Sequence, residues 1–173
     1  MEQDTFKTKV INSENPYEHW NDISDLYGKT VLDLGCGWLW QPHECTPEYF
    51  IKRGASKIVG VDVTQPELDT LSKLYPNDTF LCLNITKAEQ LQELISQYSP
   101  DVIKMDIEGN ELVLNELQDL GTATEIAIEY HSQECKIVVL NKLKEFGFKI
   151  FAINKFGYHC LDDNIMGVIH ARK

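Results

Sequence analysis

The chain has 173 residues, 43% of them hydrophobic and 25% charged, a mixture able to bury one core and expected of a single domain. Its net charge of −11, with no run of lysines or arginines, argues against a long polyanion such as nucleic acid as partner. No apolar run approaches the roughly 20 residues of a membrane span, and the N-terminus lacks the apolar core of a signal peptide.

Cys36, Cys45, Cys82, Cys135 and Cys160 form no C-x-x-C pair and are odd in number, which argues against a disulfide framework or a structural zinc site. Free thiols fit a reducing compartment, so a cytoplasmic location is expected.

Residues 1 to about 15 are polar and without period, and read as a loose arm. Pro16 opens an expected helix with Trp20, Ile23, Leu26 and Tyr27 at helical spacing, ended by Gly28. That segment either crosses the binding edge of the sheet or caps one of its sides. The division expected is an N-terminal arm and helix over 1–29 and a core over 30–171.

The first core strand is predicted over 30–34 and breaks at Gly35 and Gly37. Two glycines flanking one residue mark a place where backbone passes close to something. After a first strand, that something is commonly a nucleotide-type ligand. The loop WLWQPHEC follows, whose Trp38 and Trp40 suit either pocket walls or edge packing, while His43 and Cys45 make no complete metal site. Thr46-Pro47-Glu48 reads as a helix start, with the threonine hydroxyl as N-cap, and Gly54 as the stop.

Further strands are predicted over 57–63, 79–83, 101–107 and 125–130. Helices between them are marked by Leu68, Leu71, Leu74 and Tyr75, by Ala88, Leu91, Leu94 and Ile95, and by Val113, Leu117 and Leu120 after Gly109. Ser132 caps a helix through Val139, Leu143 and Phe146. Strands over 148–154 and 165–171 have no helix between them and are expected to be antiparallel neighbours, joined through Gly157 and Asp162-Asp163.

Strand and helix thus alternate, which predicts an α/β, Rossmann-like, mostly parallel sheet of seven strands, with helices on both faces and an antiparallel last strand. Right-handed crossovers place the ends of the parallel strands on one edge. Gly35 to Gly37, Asp62, Asn84, Asp106 to Gly109 and Glu129 to His131 should converge there.

The glycine loop lacks the third glycine of a dinucleotide fingerprint, since Trp40 stands in its place, and the next helix starts late. A ligand without a diphosphate fits better. Asp62, 25 positions after Gly37, can accept from both hydroxyls of a ribose, or serve as a turn aspartate. Asn84 can meet an adenine amino group, or sit in a plain turn.

VLDLGCG, GVDV, LCLNI and the fourth-strand acid together resemble the class I S-adenosylmethionine-dependent methyltransferases, over about 30–170. IKMDIEGNELVLNEL is similar to the K-x-D-x-E-G-x-E segment of the FkbM-type methyltransferases, and Glu129-Tyr130-His131 also looks like that family. The resemblance implies S-adenosyl-L-methionine as cofactor, held by Asp33, Gly35, Gly37, Asp62, Val63, Asn84, Ile85 and Asp106, with Asp33 at its amino acid end. It implies O-methylation of a small molecule or a glycan. The inserted WLWQPHECT departs from the family's pattern, and the chain lacks an appended substrate domain.

A hydroxyl acceptor has to lose a proton. Asp106, at the end of the fourth strand, sits beside the methyl by resemblance; Glu108 is two residues on and points the same way if the extended geometry persists. Glu111 falls in a first helical turn, where an acid complements the dipole. Glu129 and His131 repeat the two-residue spacing after the fifth strand. His131 is the expected base, because an imidazole titrates near neutrality, or a histidine merely hydrogen-bonded before a helix. Asp106, Glu108, Glu129 and His131 equally offer ligands to a divalent metal. Other classes consistent with the pattern are a non-catalytic cofactor-binding module of this fold and an NAD-linked oxidoreductase, the latter opposed by the missing glycine.

Overall fold

The computed structural model describes residues 6–11, 17–37, 45–156 and 166–173. Its strands are β1 (Lys7–Ile11), β2 (Thr30–Leu34), β3 (Lys57–Asp62), β4 (Thr79–Cys82), β5 (Val102–Met105), β6 (Glu125–Tyr130), β7 (Lys149–Phe156) and β8 (Gly167–Arg172). Its helices are α1 (Thr46–Lys52), α2 (Gln65–Leu74), α3 (Ala88–Tyr98) and α4 (Gln133–Glu145). The strands form one sheet in the order β1-β7-β8-β6-β5-β2-β3-β4. Strands β2 to β6 run parallel to their neighbours among themselves, and β8 is antiparallel to both β6 and β7, as expected from the missing helix.

The sheet has eight strands rather than seven. Lys7–Ile11, read as part of a loose arm, is an edge strand parallel to β7. Its four leading residues are exposed, so no alternation of apolar and polar marks it. An edge strand needs only backbone pairing on one side, and its lysines discourage further pairing on the other.

The central strands β2, β5 and β6 bury almost every side chain, the pattern of a parallel sheet covered on both faces. On one face Leu32, Leu34, Ile103, Met105, Ile126 and Ile128 meet α3, α4 and the Leu114–Leu120 segment. On the other, Val31, Ile58, Val102 and Ala127 meet Trp20, Ile23, Leu26 and Phe50. The segment before β2 therefore caps a side of the sheet.

That segment is not the helix expected from Pro16, which itself lies outside the described residues. Only Glu18–Trp20 is helical, as a 3-10 turn. Trp20, Ile23 and Leu26 are buried at a spacing of three, while Tyr27 is 83% exposed. After Gly109 the expected α-helix is a 3-10 segment, Asn110–Glu116, which buries Glu111 and Leu114; Leu117 and Leu120 are buried beyond its end. A strict repeat of three is the period of the 3-10 form, in which i and i+3 eclipse. It overlaps the i, i+3 half of an α-helical pattern, which is why the two read alike.

The start of α1 also differs. Cys45 is its N-cap, and the Thr46 hydroxyl donates instead to Asp33 Oδ2 at 2.5 Å. Ser132 does cap α4, accepting from the Cys135 amide at 3.0 Å. The Gly157 to Asp163 turn and Ile165 lie outside the described residues.

Candidate active site

Gly35 is required by the protein's own backbone, and Gly37 makes room for the Asp62 and Glu67 side chains. Gly35 has φ +77°, and a Cβ there would lie 1.8 Å from the Asp106 carbonyl oxygen. A Cβ on Gly37 would lie 2.8 Å from the Asp62 side chain. The close approach read from the glycines is thus to the ends of β5 and β3. Asp62 receives the Gly37 amide on Oδ2 and the Thr64 amide on Oδ1, each at 2.9 Å. It is a turn aspartate, and each oxygen keeps a lone pair for another donor.

Beyond this loop the strand ends open into a cleft of about 270 Å³. Gly35, Asp62, Val63, Asn84, Ile85 and Asp106 line it, as does Glu108. Val63 is 61% exposed there, an apolar surface beside a carboxylate. Asp33 and Gly37 are not among the lining residues. Asp33, expected at a cofactor's amino acid end, is fully buried beneath the loop. Its Oδ1 lies 3.2 Å from Lys104 Nζ, which also donates to the Gly35 carbonyl at 2.6 Å and lies 3.9 Å from Asp106. Burial opposes the lysine's charge, but the Asp33 and Asp106 carboxylates outweigh it and its pKa lies above the ordinary value.

At the Asp106 end of the cleft four carboxylates surround His131. Glu111 Oε1 lies 2.9 Å from Nδ1. Nε2 faces Glu108 and Glu129 at 3.5 Å each and Asp106 at 3.7 Å. The four residues expected to converge do so, although Glu108 arrives differently. Strand β5 ends at Met105, and Glu108 sits at φ +51° followed by Gly109 at +96°. A left-handed turn, not a continued strand, carries its carboxylate to His131.

No protein-family model matches the chain. Over 106 residues it is 32% identical to ribosomal protein L11 methyltransferase of Aliivibrio salmonicida, a match covering 60% of this chain and 31% of that protein. The chain thus spans about a third of that curated relative's length. Among solved structures it resembles an S-adenosylmethionine-dependent methyltransferase from Mesorhizobium loti, with TM-score 0.55 and 14% identity, over 87% of this chain and 94% of the other. It also resembles ribosomal protein L11 methylase from Lactobacillus delbrueckii subsp. bulgaricus, with TM-score 0.52 and 13% identity, over 86% of this chain and 72% of that one. This is the class I methyltransferase fold.

Within the methyltransferase fold the histidine differs from the neutral-range base read from its residue type. Burial alone would lower the His131 pKa, but the hydrogen bond and charge of Glu111, then the Glu129 and Asp106 charges, raise it to about 9. Burial and the Asp106 charge push Glu129 up to about 8. Below about 9 His131 is charged, so a free neutral imidazole is not what the cleft presents at pH 7.

Two residues of this methyltransferase fold acquire roles the sequence did not assign. Lys104 lies within the KMD segment, yet only the register Asp33↔Lys104 between β2 and β5 makes it the counter-ion under the loop. Glu111, read as a dipole acid, is fully buried and holds His131. Its place in the three-residue repeat with Leu114 was the available signal. Trp38, Trp40 and His43 lie outside the described residues; Cys45 is buried beside Cys36, Leu68 and Leu71.

Proposed function

We propose that the chain is an S-adenosyl-L-methionine-dependent methyltransferase and that the acceptor is a hydroxyl of a small molecule or carbohydrate. The observation that carries this reading is the continuity of the cleft. It runs from Asp62, Val63, Asn84 and Ile85, suited to a ribose and an adenine, to Asp106 and Glu108 at the His131 cluster. In this reading Asp62 accepts the ribose hydroxyls with its remaining lone pairs, Val63 and Ile85 pack on the base, and Asn84 faces its edge. Gly35 lets the sulfonium pass close to the backbone, and the Lys104–Asp33 pair fixes the loop from below. Most of the rate enhancement comes from alignment of the acceptor with the sulfonium methyl, worth up to about 7–11 kcal/mol. An ionised carboxylate of the Asp106, Glu108, Glu129 and His131 cluster takes the hydroxyl proton, since His131 is already charged.

The spacing of Lys104, Asp106, Glu108, Gly109 and Glu111 supports the narrower FkbM-type likeness. The acidic surface disfavours a nucleic-acid acceptor. The curated relative's name supports a second reading, a protein as acceptor, over the 106 residues it shares. Cys36, Cys45, Cys82 and Cys135 are unpaired, which supports a reducing location such as the cytoplasm. Among the described residues no helix is long and apolar enough to cross a membrane.

Isothermal titration with S-adenosylhomocysteine tests the first step. The wild-type chain is expected to bind, and Asp62→Ala to bind at least tenfold more weakly with its fold retained. A folded wild-type sample that binds none at high micromolar concentration would sink the proposal. Radiolabelled methyl transfer to hydroxyl-bearing metabolites, glycans and ribosomal proteins separates the two acceptors.

A further inference from the structure

We propose that Asp106, Glu129 and His131 form a site for a divalent first-row transition metal ion, with Glu108 as an optional fourth ligand and Glu111 as the residue that orients the imidazole. Each of the three offers one ligand atom, and these atoms all lie within 4.8 Å of one another. The distances from His131 Nε2, 3.5 Å to Glu108 and Glu129 and 3.7 Å to Asp106, exceed those of a hydrogen bond. They approach the spacing of adjacent ligands around an ion with bonds of about 2.1 Å, which is about 3.0 Å in an octahedron and about 3.4 Å in a tetrahedron.

Two features of the carboxyl groups suit a bound cation. Glu129 is only 9% exposed and its sole described partner is His131 at 3.5 Å, so its carboxylate accepts no hydrogen bond. Asp106 Oδ1 is buried and also accepts none. A buried carboxyl without a hydrogen-bond donor is costly as a carboxylate, so it either keeps its proton, leans on a charged imidazole, or is met by a metal ion that replaces both. Lys104 is already engaged with Asp33 and the Gly35 carbonyl and stands 3.9 Å from the other oxygen of Asp106.

The histidine is presented in the way metal ligands are. A second carboxylate on the far ring nitrogen fixes the tautomer and aims the free nitrogen at the ion. Glu111 does this at 2.9 Å from a fully buried position. One imidazole with two or three carboxylates suits Mn²⁺, Fe²⁺ or Zn²⁺ rather than Ca²⁺, which prefers all-oxygen shells.

Asp106 lines both the cleft and this cluster, so an ion here borders the place where the acceptor meets the methyl. The role follows from Lewis acidity. With Asp106, Glu129 and His131 engaged as ligands they no longer serve as the base, and an acceptor hydroxyl bound through oxygen loses its proton to solvent. The oxygen lone pair then forms the O–CH₃ bond as the S–CH₃ bond breaks, and the sulfur keeps that pair and leaves as a neutral thioether. This role rests on the proposed methyl transfer; metal binding itself does not.

Mn²⁺ titration of the wild-type chain, followed by loss of the free-ion paramagnetic resonance signal and by calorimetry, tests the site, with Zn²⁺ as a second probe. Wild type is expected to bind one ion. Glu129→Gln and His131→Ala are expected to weaken it at least tenfold, and Glu111→Gln about tenfold. Asp106→Asn serves as a near-isosteric variant should either of the first two fail to fold. S-adenosylhomocysteine titration of the wild-type, Glu129→Gln, His131→Ala and Glu111→Gln samples is expected to be unchanged, which keeps failure of the metal site distinct from failure of cofactor binding. No binding of either ion by folded wild type up to millimolar concentration, or equal affinity in all variants, would overturn the proposal.

Discussion

Glu111 and His131, twenty residues apart, meet through Glu111 Oε1 and His131 Nδ1 at 2.9 Å. The contact joins the 3-10 segment after β5 to the end of β6, and it leaves Nε2 as the nitrogen facing Asp106, Glu108 and Glu129. Glu111→Gln keeps the shape and removes the charge. It is expected to lower kcat at least tenfold while leaving S-adenosylhomocysteine affinity within twofold, read by steady-state assay and calorimetry. A residue that only stabilised the fold would change the unfolding midpoint, by about 1–3 kcal/mol for a charge-assisted bond, without that split.

Lys104→Met tests the pair beneath the glycine loop. Lys104 and Asp33 are both buried, and removing the lysine strands the Asp33 carboxylate with Thr46 as its remaining hydrogen-bond donor. The expected cost is about 3–5 kcal/mol, the usual penalty for breaking a buried pair. Urea unfolding measures it. Lys104→Met combined with Asp33→Leu should recover much of the loss, because no buried charge is left unpaired.

Gly35→Ala should be among the most damaging single changes. The added methyl would lie 1.8 Å from a backbone oxygen, and φ +77° is strained for any residue with a Cβ. Either β5 moves from β2 or the loop refolds. The expected readouts are a loss of stability above about 3 kcal/mol in urea and loss of cofactor-analogue binding. Gly109→Ala has no neighbour within 4 Å and pays only for φ +96°, so a smaller effect is expected.

Acid should destabilise the chain through His170, far from the cleft. Burial lowers its pKa from the ordinary 6.5 to about 4, with the His19 carbonyl and the Asp22 and Glu125 charges only partly opposing. Its Nε2 lies 2.9 Å from that carbonyl. The unfolded chain therefore takes up a proton between those two values when the folded chain does not. The stability from keeping His170 neutral is complete above pH 6.5 and is lost as pH falls toward 4, by up to roughly 3 kcal/mol. Urea midpoints from pH 7 to 4 should fall, and less steeply in His170→Gln.

Strands β2 and β6 were readable in the sequence to the residue, since apolar runs bounded by glycine or polar residues have one reading when both faces are covered. Helix α3 was equally legible from Ala88, Leu91, Leu94 and Ile95. The edge strand was not, because Lys7–Ile11 buries only Ile11 and is held by backbone bonds to β7 that leave no mark on side-chain pattern. The 3-10 segments were half legible: a three-residue repeat announces burial but does not separate two helical forms that share it.

By itself, the sequence determined the alternation of strand and helix, and hence that Gly35, Asp62, Asn84, Asp106 and His131 share an edge, because covalent order and crossover handedness place them there. Only the tertiary structure decided what those residues do to one another. The register between β2 and β5 buries Lys104 against Asp33, and the left-handed turn at Glu108 and Gly109 swings Glu111 inward onto His131. Charge and burial at these contacts act across dozens of residues of chain. A histidine's residue type puts its pKa near neutrality; Glu111, Glu129 and Asp106, brought around it by the fold, put it at about 9.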